Sequence, residues 1–208
     1  MSVVLLGSEG SMGKRYQSIL EYLDVEHECF DIDADMDDIE AAVIESDGII
    51  ISTPTEAHVG YIRKFIDYKK PILCEKPITK NILSIRGLLA EIHYCKCNFT
   101  MMMQYKELVD PSDSGPSYYN YFRTGNDGLI WDAIQIIGLA KDDVRVSNDS
   151  PIWKCMINGR KLSLADMDLA YIKYVRRWLE KPGQSLTEIR QIHEKTNEFE
   201  KVKGIWLN

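Results

Sequence analysis

Residues 2–17 read SVVLLGSEGSMGKRYQ, and this stretch decides the expected fold. An apolar run, Val3 to Leu6, is followed by glycines at positions 7, 10 and 13, and an amphipathic helical pattern begins directly after them. This order predicts a buried parallel strand, a tight glycine turn and a helix whose N-terminus faces the turn. Glycine suits such a turn because it tolerates positive φ and lets other groups approach the backbone without meeting a Cβ.

The predicted turn has the properties of a phosphate site. Free backbone N–H groups and the positive end of the helix dipole both favour an anion at a helix N-terminus. The residues expected to contact a dinucleotide here are Gly7, Ser8, Gly10, Ser11, Met12 and Gly13. Three glycines also occur in tight turns of other α/β proteins, so the prediction depends on the strands that follow.

A second predicted strand, residues 26–30, ends at an acidic residue, Asp31. In dinucleotide-binding folds an acidic side chain roughly 20 residues after the glycines binds the ribose hydroxyls of adenosine. The same carboxylate repels a 2′-phosphate, and Asp33 and Asp35 add to this repulsion, so the sequence predicts NAD rather than NADP. The alternative is a solvated turn rich in aspartate, which we favour only for the acids after Asp33, since these precede a helix.

Two further buried strands also end in polar residues. Residues 48–51 are followed by Ser-Thr-Pro and a nearby histidine, and residues 71–74 are followed by Glu-Lys-Pro. Open parallel sheets bind ligands at the carboxyl ends of their strands, so these positions are candidate cofactor contacts. They are Ser52, Thr53, Pro54, His58, Glu75, Lys76 and Pro77. The repeated alternation of strand and helix predicts an α/β fold, a Rossmann doubly wound parallel sheet.

Together these motifs resemble the N-terminal half of the Gfo/Idh/MocA oxidoreductases, the relatives of glucose–fructose oxidoreductase and inositol dehydrogenase. The resemblance covers residues 3–80, and Glu-Lys-Pro after a strand is its most specific element. It implies an NAD(P)-dependent enzyme in which Lys76 reaches the substrate near the nicotinamide and Pro77 bends the backbone beside the ring. On spacing alone, Lys76 is equally well interpreted as an exposed loop cation.

Residues 105–208 are predicted to form a shortened second domain after a dinucleotide-binding domain spanning 1–104. An aromatic-rich strand over 117–123 and a hairpin at Asn158-Gly159 indicate a mostly antiparallel sheet. Ser163 or Asp166 is then expected to cap a long amphipathic helix, and a final helix begins near residue 185. This second, small α+β domain is expected to bind the substrate and to form a homodimer through its exposed sheet face.

The apolar helical pattern of residues 128–138 resembles the family helix that supplies an Asp and a His to the active site. Only Asp132 matches, because the histidine position holds Ile136 or Leu129, depending on which family Asp it represents. Asp132 is therefore predicted to be catalytic together with Lys76. Four tyrosines are alternative proton donors: Tyr105, Tyr118, Tyr119 and Tyr121.

The composition is that of an ordinary globular protein, with a net charge of −7 that disfavours nucleic-acid or anionic-membrane partners. No apolar run approaches the roughly 20 residues of a membrane span. The first strand begins too early for a signal peptide, and the five scattered cysteines suggest reduced thiols, so a cytoplasmic location is expected. Cys95-x-Cys97 lacks a second pair of ligands, and no metal site is predicted.

Three functions are compatible with these patterns. The first is hydride transfer between NAD(P) and a sugar, a polyol or a similar small hydroxy or keto compound. The second is a dinucleotide-binding sensor, or a partner subunit, without redox turnover, suggested by the absent histidine. The third follows from a resemblance of the glycine motif to dihydrodipicolinate reductase, which ranks lower because residues 100–160 lack that family's histidine-rich motif.

Overall fold

The computed structural model describes residues 1–120, 129–147, 149–150 and 152–203. The chain divides into two compact units. The first consists of Met1–Met102 and Val175–Leu186, and the second of Met103–Tyr174 and Thr187–Asn208. The chain therefore leaves the first unit and later returns to it.

The first unit contains a five-stranded parallel sheet in the order β2-β1-β3-β4-β5. Its strands are β1 (Ser2–Leu6), β2 (Glu26–Phe30), β3 (Gly48–Ile51), β4 (Ile72–Cys74) and β5 (Phe99–Met101). The intervening helices are α1 (Ser11–Tyr22), α2 (Met36–Glu45), α3 (Thr55–Phe65) and α4 (Ile82–Cys95). Strands β3 and β4 are buried along their whole length, as expected for central strands covered on both faces.

The strand order contains a reversal of direction between β1 and β3. The chain first moves from β1 to β2 on one side, and then crosses to β3 on the other side of β1. Because parallel crossovers are right-handed, α1 lies on one face of the sheet and α2 on the other. The predicted doubly wound sheet is confirmed, and a ligand crevice is expected at the β1/β3 reversal.

The open edge of β5 is paired by a segment from much later in the chain. Gln184 N donates to Phe99 O at 2.9 Å, and Gly183 N donates to Thr100 Oγ1 at 3.0 Å. Strand β5 itself ends at Met101, and a 3₁₀ turn follows at Gln104–Glu107. This pairing places Val175–Leu186 in the first unit, although the sequence suggested the second domain for all of 105–208.

The second unit contains a four-stranded sheet in the order β7-β6-β8-β9. Its strands are β6 (Ser117–Asn120), β7 (Val144–Ser147), β8 (Lys154–Ile157) and β9 (Arg160–Leu162). Strands β6 and β7 are parallel and the other pairs are antiparallel, so the predicted mostly antiparallel sheet is confirmed. The β8–β9 hairpin turns at Asn158 (φ 49°) and Gly159 (φ 81°), as Asn-Gly predicts.

Two short helices lie between β6 and β7 in the chain, α5 (Leu129–Asp132) and α6 (Ile134–Leu139), and two long helices follow β9, α7 (Leu164–Glu180) and α8 (Leu186–Lys203). The single helix predicted over 128–138 is thus two short helices that meet at Ala133. Gly138 allows α8 to pack closely, because a Cβ there would lie 2.9 Å from Ile192 Cγ1. Tyr121, Gly128 and the end of the strand predicted over 117–123 lie outside the described residues.

Ser163 caps α7 by a reciprocal pair of hydrogen bonds. Asp166 N donates to Ser163 Oγ at 3.2 Å, and Ser163 N donates to Asp166 Oδ2 at 3.0 Å. Both residues that the sequence proposed as the cap therefore take part in it. Helix α7 begins in the second unit and ends in the first.

Candidate functional site

The glycine loop, residues 7–13, consists of the turn after β1 and the first residues of α1, and it requires glycine at both ends. Gly7 has a φ of +83°, and a Cβ there would lie 2.7 Å from the backbone nitrogen of Thr53. A Cβ on Gly13 would lie only 2.1 Å from Gly7 O. Side chains at either position would therefore force backbone atoms apart, so the packing of the protein itself explains these two glycines.

Gly10 is different, because nothing in the protein requires a glycine there. Its φ of −67° is accessible to other residues, and the nearest atom to an added Cβ, Gly7 O, lies at an ordinary contact distance of 3.6 Å. Gly10 is also the first residue before α1, and that helix has no side-chain cap. The loop thus leaves both space and an uncapped helix N-terminus, which together favour an anion.

Hydrogen bonds from neighbouring elements hold the glycine loop. Gly7 N donates to Phe30 O at 2.8 Å, and Ser52 Oγ donates to Gly7 O at 3.2 Å. Gln17 Nε2 of α1 donates to Ser8 O at 2.9 Å. Ser8 is buried and Ser11 is exposed, so the two predicted contacts differ in how a ligand would reach them. Met12 is half-buried in the first turn of α1.

Asp31 lies beside the glycine loop at the end of β2. Its Oδ2 accepts from Glu9 N at 2.7 Å, and its Oδ1 accepts from Ile32 N at 2.7 Å. Both bonds fix the orientation of the carboxylate. The later Asp35 instead caps α2 by accepting from Asp37 N at 2.8 Å, in agreement with the interpretation of this acid as part of a turn that leads into a helix.

The Thr53 loop, residues 52–54, follows β3 on the other side of the reversal. The Thr53 hydroxyl oxygen is buried and has no hydrogen-bond partner among the described residues. Buried hydroxyls are normally satisfied, so this atom is suited to a polar group of a ligand. Pro54 is exposed and precedes α3 without a side-chain cap.

His58 of α3 is only 1% exposed and joins two loops. Its Nε2 lies 2.7 Å from Thr53 O, and its Nδ1 lies 2.9 Å from Pro77 O. Both ring nitrogens are thus within hydrogen-bond distance of backbone carbonyl oxygens. His58 braces the loops that carry the other candidate residues.

The Lys76 loop, residues 75–77, follows β4 and contains a cis peptide bond between Lys76 and Pro77. Glu75 is 6% exposed, and its Oε1 accepts from the Tyr16 hydroxyl at 2.8 Å. The other oxygen, Oε2, accepts from Lys76 N at 3.1 Å. Lys76 itself is half-buried. Burial and, secondarily, the charge of Glu75 raise the pKa of the preceding Cys74 thiol well above its usual range, so it is no nucleophile.

In the second unit, Asp132 is half-buried at the end of α5. The two positions that the family pattern assigns to histidine are core positions, since Leu129 is 5% exposed and Ile136 is fully buried. Among the alternative proton donors, Tyr105 and Tyr119 are buried in the core and Tyr118 is half-buried. The second unit therefore provides a carboxylate without the histidine.

The second unit does contain one buried histidine, which the sequence patterns did not single out. His193 of α8 is 1% exposed, and its ring centroid lies 6.1 Å from that of Trp131. Burial lowers the pKa of His193 from 6.5 to about 4. It belongs to the apolar stripe of α8 with Ile189 and Ile192, and this helical spacing is the signal that would have found it.

The sequence patterns also missed the polar contacts of α1. The hydroxyl of Tyr16 reaches Glu75, and the side chain of Gln17 reaches the glycine loop. A tyrosine on a buried helix face normally needs a partner for its hydroxyl, but the sequence does not say which one.

These residues fit a dinucleotide. The uncapped start of α1 suits a pyrophosphate, and the space beside Gly10 permits its approach. The carboxylate of Asp31 and the unsatisfied hydroxyl of Thr53 provide polar partners on either side of the loop. Within the described ranges there is no cluster of three His, Cys, Asp or Glu side chains suited to a metal ion.

Comparison with known proteins identifies the first unit. Residues 6–101 match the Gfo/Idh/MocA family, described as an oxidoreductase family with an NAD-binding Rossmann fold. Over these residues the resemblance inferred from the motifs is confirmed.

Individual relatives agree with this assignment. The chain is 34% identical over 76 residues to inositol 2-dehydrogenase of Rhizobium meliloti, an alignment that covers 36% of this chain. The chain spans only 22% of the length of that curated relative.

No helix within the described residues combines the length and the apolarity needed to cross a membrane.

Solved structures extend the likeness in fold to both units. A myo-inositol dehydrogenase from Corynebacterium glutamicum has a TM-score of 0.72 at 14% identity, over 95% of this chain and 94% of that one. The WlbA dehydrogenase from Thermus thermophilus, solved with NAD and UDP-GlcNAcA, has a TM-score of 0.69 at 14% identity, over 96% and 94%. These TM-scores establish a shared fold, and at sequence identities this low they establish the fold alone.

Proposed function

We propose that this chain is an NAD-dependent oxidoreductase that transfers a hydride between the nicotinamide and a sugar, a polyol or a similar small hydroxy or keto compound. The observation that carries the proposal is the glycine loop: it leaves an uncapped helix N-terminus and space at Gly10 at the β1/β3 reversal. Membership of residues 6–101 in a NAD-binding oxidoreductase family supports it.

The proposed cofactor contacts follow from the loops of the first unit. The backbone N–H groups of residues 10–13 bind the pyrophosphate. Ser8 stabilises this loop through its carbonyl oxygen, which accepts a hydrogen bond from Gln17. Thr53 donates its hydroxyl to the cofactor, while Ser52 and His58 keep the loop in place. The rings of Pro54 and Pro77 provide apolar walls.

We propose NAD as the preferred form of the cofactor because of Asp31. Its carboxylate is held by two backbone N–H groups, so it is preorganised to accept hydrogen bonds from ribose hydroxyls and to repel a 2′-phosphate. Asp31→Asn should raise the affinity for NADPH relative to NADH, while Asp38→Asn, at an exposed position in the first turn of α2, serves as the matched control. Fluorescence titration measures both affinities, and an unchanged ratio in Asp31→Asn would contradict this preference.

For catalysis, the cofactor supplies or accepts the hydride, and protein side chains move the accompanying proton. In the oxidation of a CH–OH group, the carbon loses a hydride and its oxygen loses a proton. We assign that proton to the amine of Lys76, with Asp132 as a second acid–base group. The buried Ile136 and Leu129 are incapable of proton transfer, so neither replaces the histidine, and the half-buried Tyr118 is the alternative to these two groups.

The proposal is tested with the purified chain in two steps. Titration with NADH, NAD and NADPH measures binding, and a panel of polyols, sugars and keto compounds is then screened for a change in NADH absorbance. Binding and turnover are both expected. Binding of NADH without turnover on any compound would favour the sensor or partner-subunit function, and no binding of any dinucleotide would overturn the proposal entirely.

We further propose a homodimer formed through the outer face of the second-unit sheet. This face has the half-buried Tyr118 and Met156 side by side, with the cations Arg145, Lys154 and Lys161 on the same face. Because two copies would bring like charges together, dimerisation should strengthen as salt screens them. Sedimentation at low and high salt tests this, and a monomer under both conditions would contradict it.

We also propose a cytoplasmic location, which the five free thiols support.

A further inference from the structure

Two buried side chains tie the Lys76 loop to the rest of the first unit. Tyr16 projects from α1, the helix that begins at the glycine loop, and His58 projects from α3, the helix that begins after the Thr53 loop. Both are 0–1% exposed. They contact the residues immediately before and after Lys76 in the chain.

The contact on the N-terminal side is the hydrogen bond from Tyr16 to Glu75. The Tyr16 hydroxyl donates to Oε1 at 2.8 Å, while Oε2 accepts from Lys76 N at 3.1 Å. A single carboxylate therefore receives one donor from α1 and one from the backbone of Lys76 itself. Because Glu75 is 6% exposed, water does not readily replace a donor that is lost.

The contact on the C-terminal side is the bond between His58 and the carbonyl of Pro77, at 2.9 Å. The other ring nitrogen of His58 reaches Thr53 O, so the same side chain also fixes the Thr53 loop. The backbone of Lys76 is consequently held on both sides, by groups that also position the two loops at the β1/β3 reversal.

We propose that Tyr16 is a positioning residue which, through Glu75, sets the place of Lys76 relative to the N-terminus of α1. The inference rests on the proposed function, because it assigns the phosphate site to the start of α1 and the proton transfer to Lys76. One rigid helix then connects the group that binds the cofactor to the loop that carries the amine. A misplaced reacting group lowers turnover far more than binding.

Tyr16→Phe tests this inference, because it removes only the hydroxyl. Tyr22→Phe is the matched control: it makes the same change at the last residue of the same helix, where the side chain is 68% exposed. In Tyr16→Phe we expect kcat to fall by about 10- to 100-fold, with the KM for substrate and the Kd for NADH within about threefold of the original. Tyr22→Phe should change none of them.

A second readout needs no turnover. Lysine-selective acylation of the intact protein, followed by peptide mass spectrometry, measures the reactivity of Lys76 against that of the exposed Lys80. Loss of the Tyr16 bond should change the relative labelling rate of Lys76 several-fold, and Tyr22→Phe should leave it unchanged. Equal Lys76 labelling and equal kcat in the two variants would overturn the inference.

Glu75→Leu, which removes both carboxylate oxygens, provides an independent variant in case Tyr16→Phe does not fold. It should reproduce the labelling change, and adding Tyr16→Phe to it should cause no further change, because the bond between the two residues is already absent. Additive effects would contradict the shared path. If the original protein fails to bind NADH, the proposed function fails, while the labelling result still decides the role of Tyr16.

Discussion

The polar residues of the first unit and those of the second unit are used differently. In the first, hydrogen bonds from side chains such as Tyr16, His58 and Ser52 join the residues at three neighbouring strand ends. The Thr53 hydroxyl has no hydrogen-bond partner among the described residues and α1 has no side-chain cap, so both are available to a ligand. In the second, the two positions that the family pattern assigns to histidine are apolar, and the buried His193 lies in the core.

This difference indicates where function resides in the chain. A polar network is built around an open place in the first unit, which is the property of a ligand site. The second unit provides Asp132 but surrounds it in sequence with core residues. Acid–base chemistry is therefore expected to depend on Lys76.

Gly13→Ala should have the largest effect. Its Cβ would lie 2.1 Å from Gly7 O and 2.5 Å from Ser8 O, and these backbone atoms must move apart. We expect a loss of about 3 kcal/mol or more in the free energy of unfolding, measured by urea denaturation, together with loss of NADH binding. Gly60→Ala, at an exposed helical site with no atom within 4 Å of the new Cβ, should instead stabilise the protein slightly. Equal stability in the two variants would show that the loop is not constrained as described.

Lys76→Met should abolish most turnover without preventing cofactor binding. The substitution keeps an unbranched apolar chain and removes the amine, so kcat should fall by about 100-fold or more while the Kd for NADH changes little. Lys80→Met, at an exposed position four residues later, is the control. Retained turnover in Lys76→Met would move the proton transfer to another residue, with Asp132→Asn as the next variant to measure.

His193 should make the stability of the protein depend on pH. Because its pKa is lowered from 6.5 to about 4, the unfolded chain binds a proton below pH 6.5 that the folded chain excludes. Its stabilising contribution is complete above pH 6.5 and is lost as the pH falls towards 4, with about 2 kcal/mol gone by pH 5.

Urea denaturation of the original protein and His193→Gln from pH 7.5 down to 5 tests this. The stability of the variant should decline less steeply, while His93→Gln, which changes an exposed histidine, should follow the original curve. Parallel curves for His193→Gln and the original would instead show that His193 is accessible to protons, as a shuttle would be.

Gly10→Ala should have the smallest effect on the protein and a selective effect on the ligand. The new Cβ has 3.6 Å to its nearest neighbour, so the free energy of unfolding should change by less than about 0.5 kcal/mol. NADH affinity should fall by about tenfold, because the Cβ occupies the approach to the start of α1. Unchanged affinity would mean that the cofactor does not approach Gly10.

The elements of the first unit were predictable because each is encoded by local sequence. The apolar runs of β1, β3 and β4, separated by helical periodicity, specify the parallel sheet. In the second unit, Asn158-Gly159 specifies the β8–β9 hairpin in the same local way. The partner of β5 was not predictable, because residues 183–184 reach it from a distant part of the chain. Strand β7 was also missed, since Val144–Ser147 has only four residues.

The candidate site divides along the same line. Its residue types and spacing were evident, but the distinction between Gly10 and the other two glycines required knowing what surrounds each Cβ. The same is true of His58, a candidate contact from the sequence that the structure shows bonded to two carbonyls.

The class of fold, the order of the polar strand ends and their suitability for a dinucleotide follow from the amino-acid sequence, because periodicity and turn chemistry are local properties. Which of those polar groups bond to one another, and which are left for a ligand, depends on contacts in the folded protein. These contacts join residues as far apart as Tyr16 and Glu75, and burial gives them their strength.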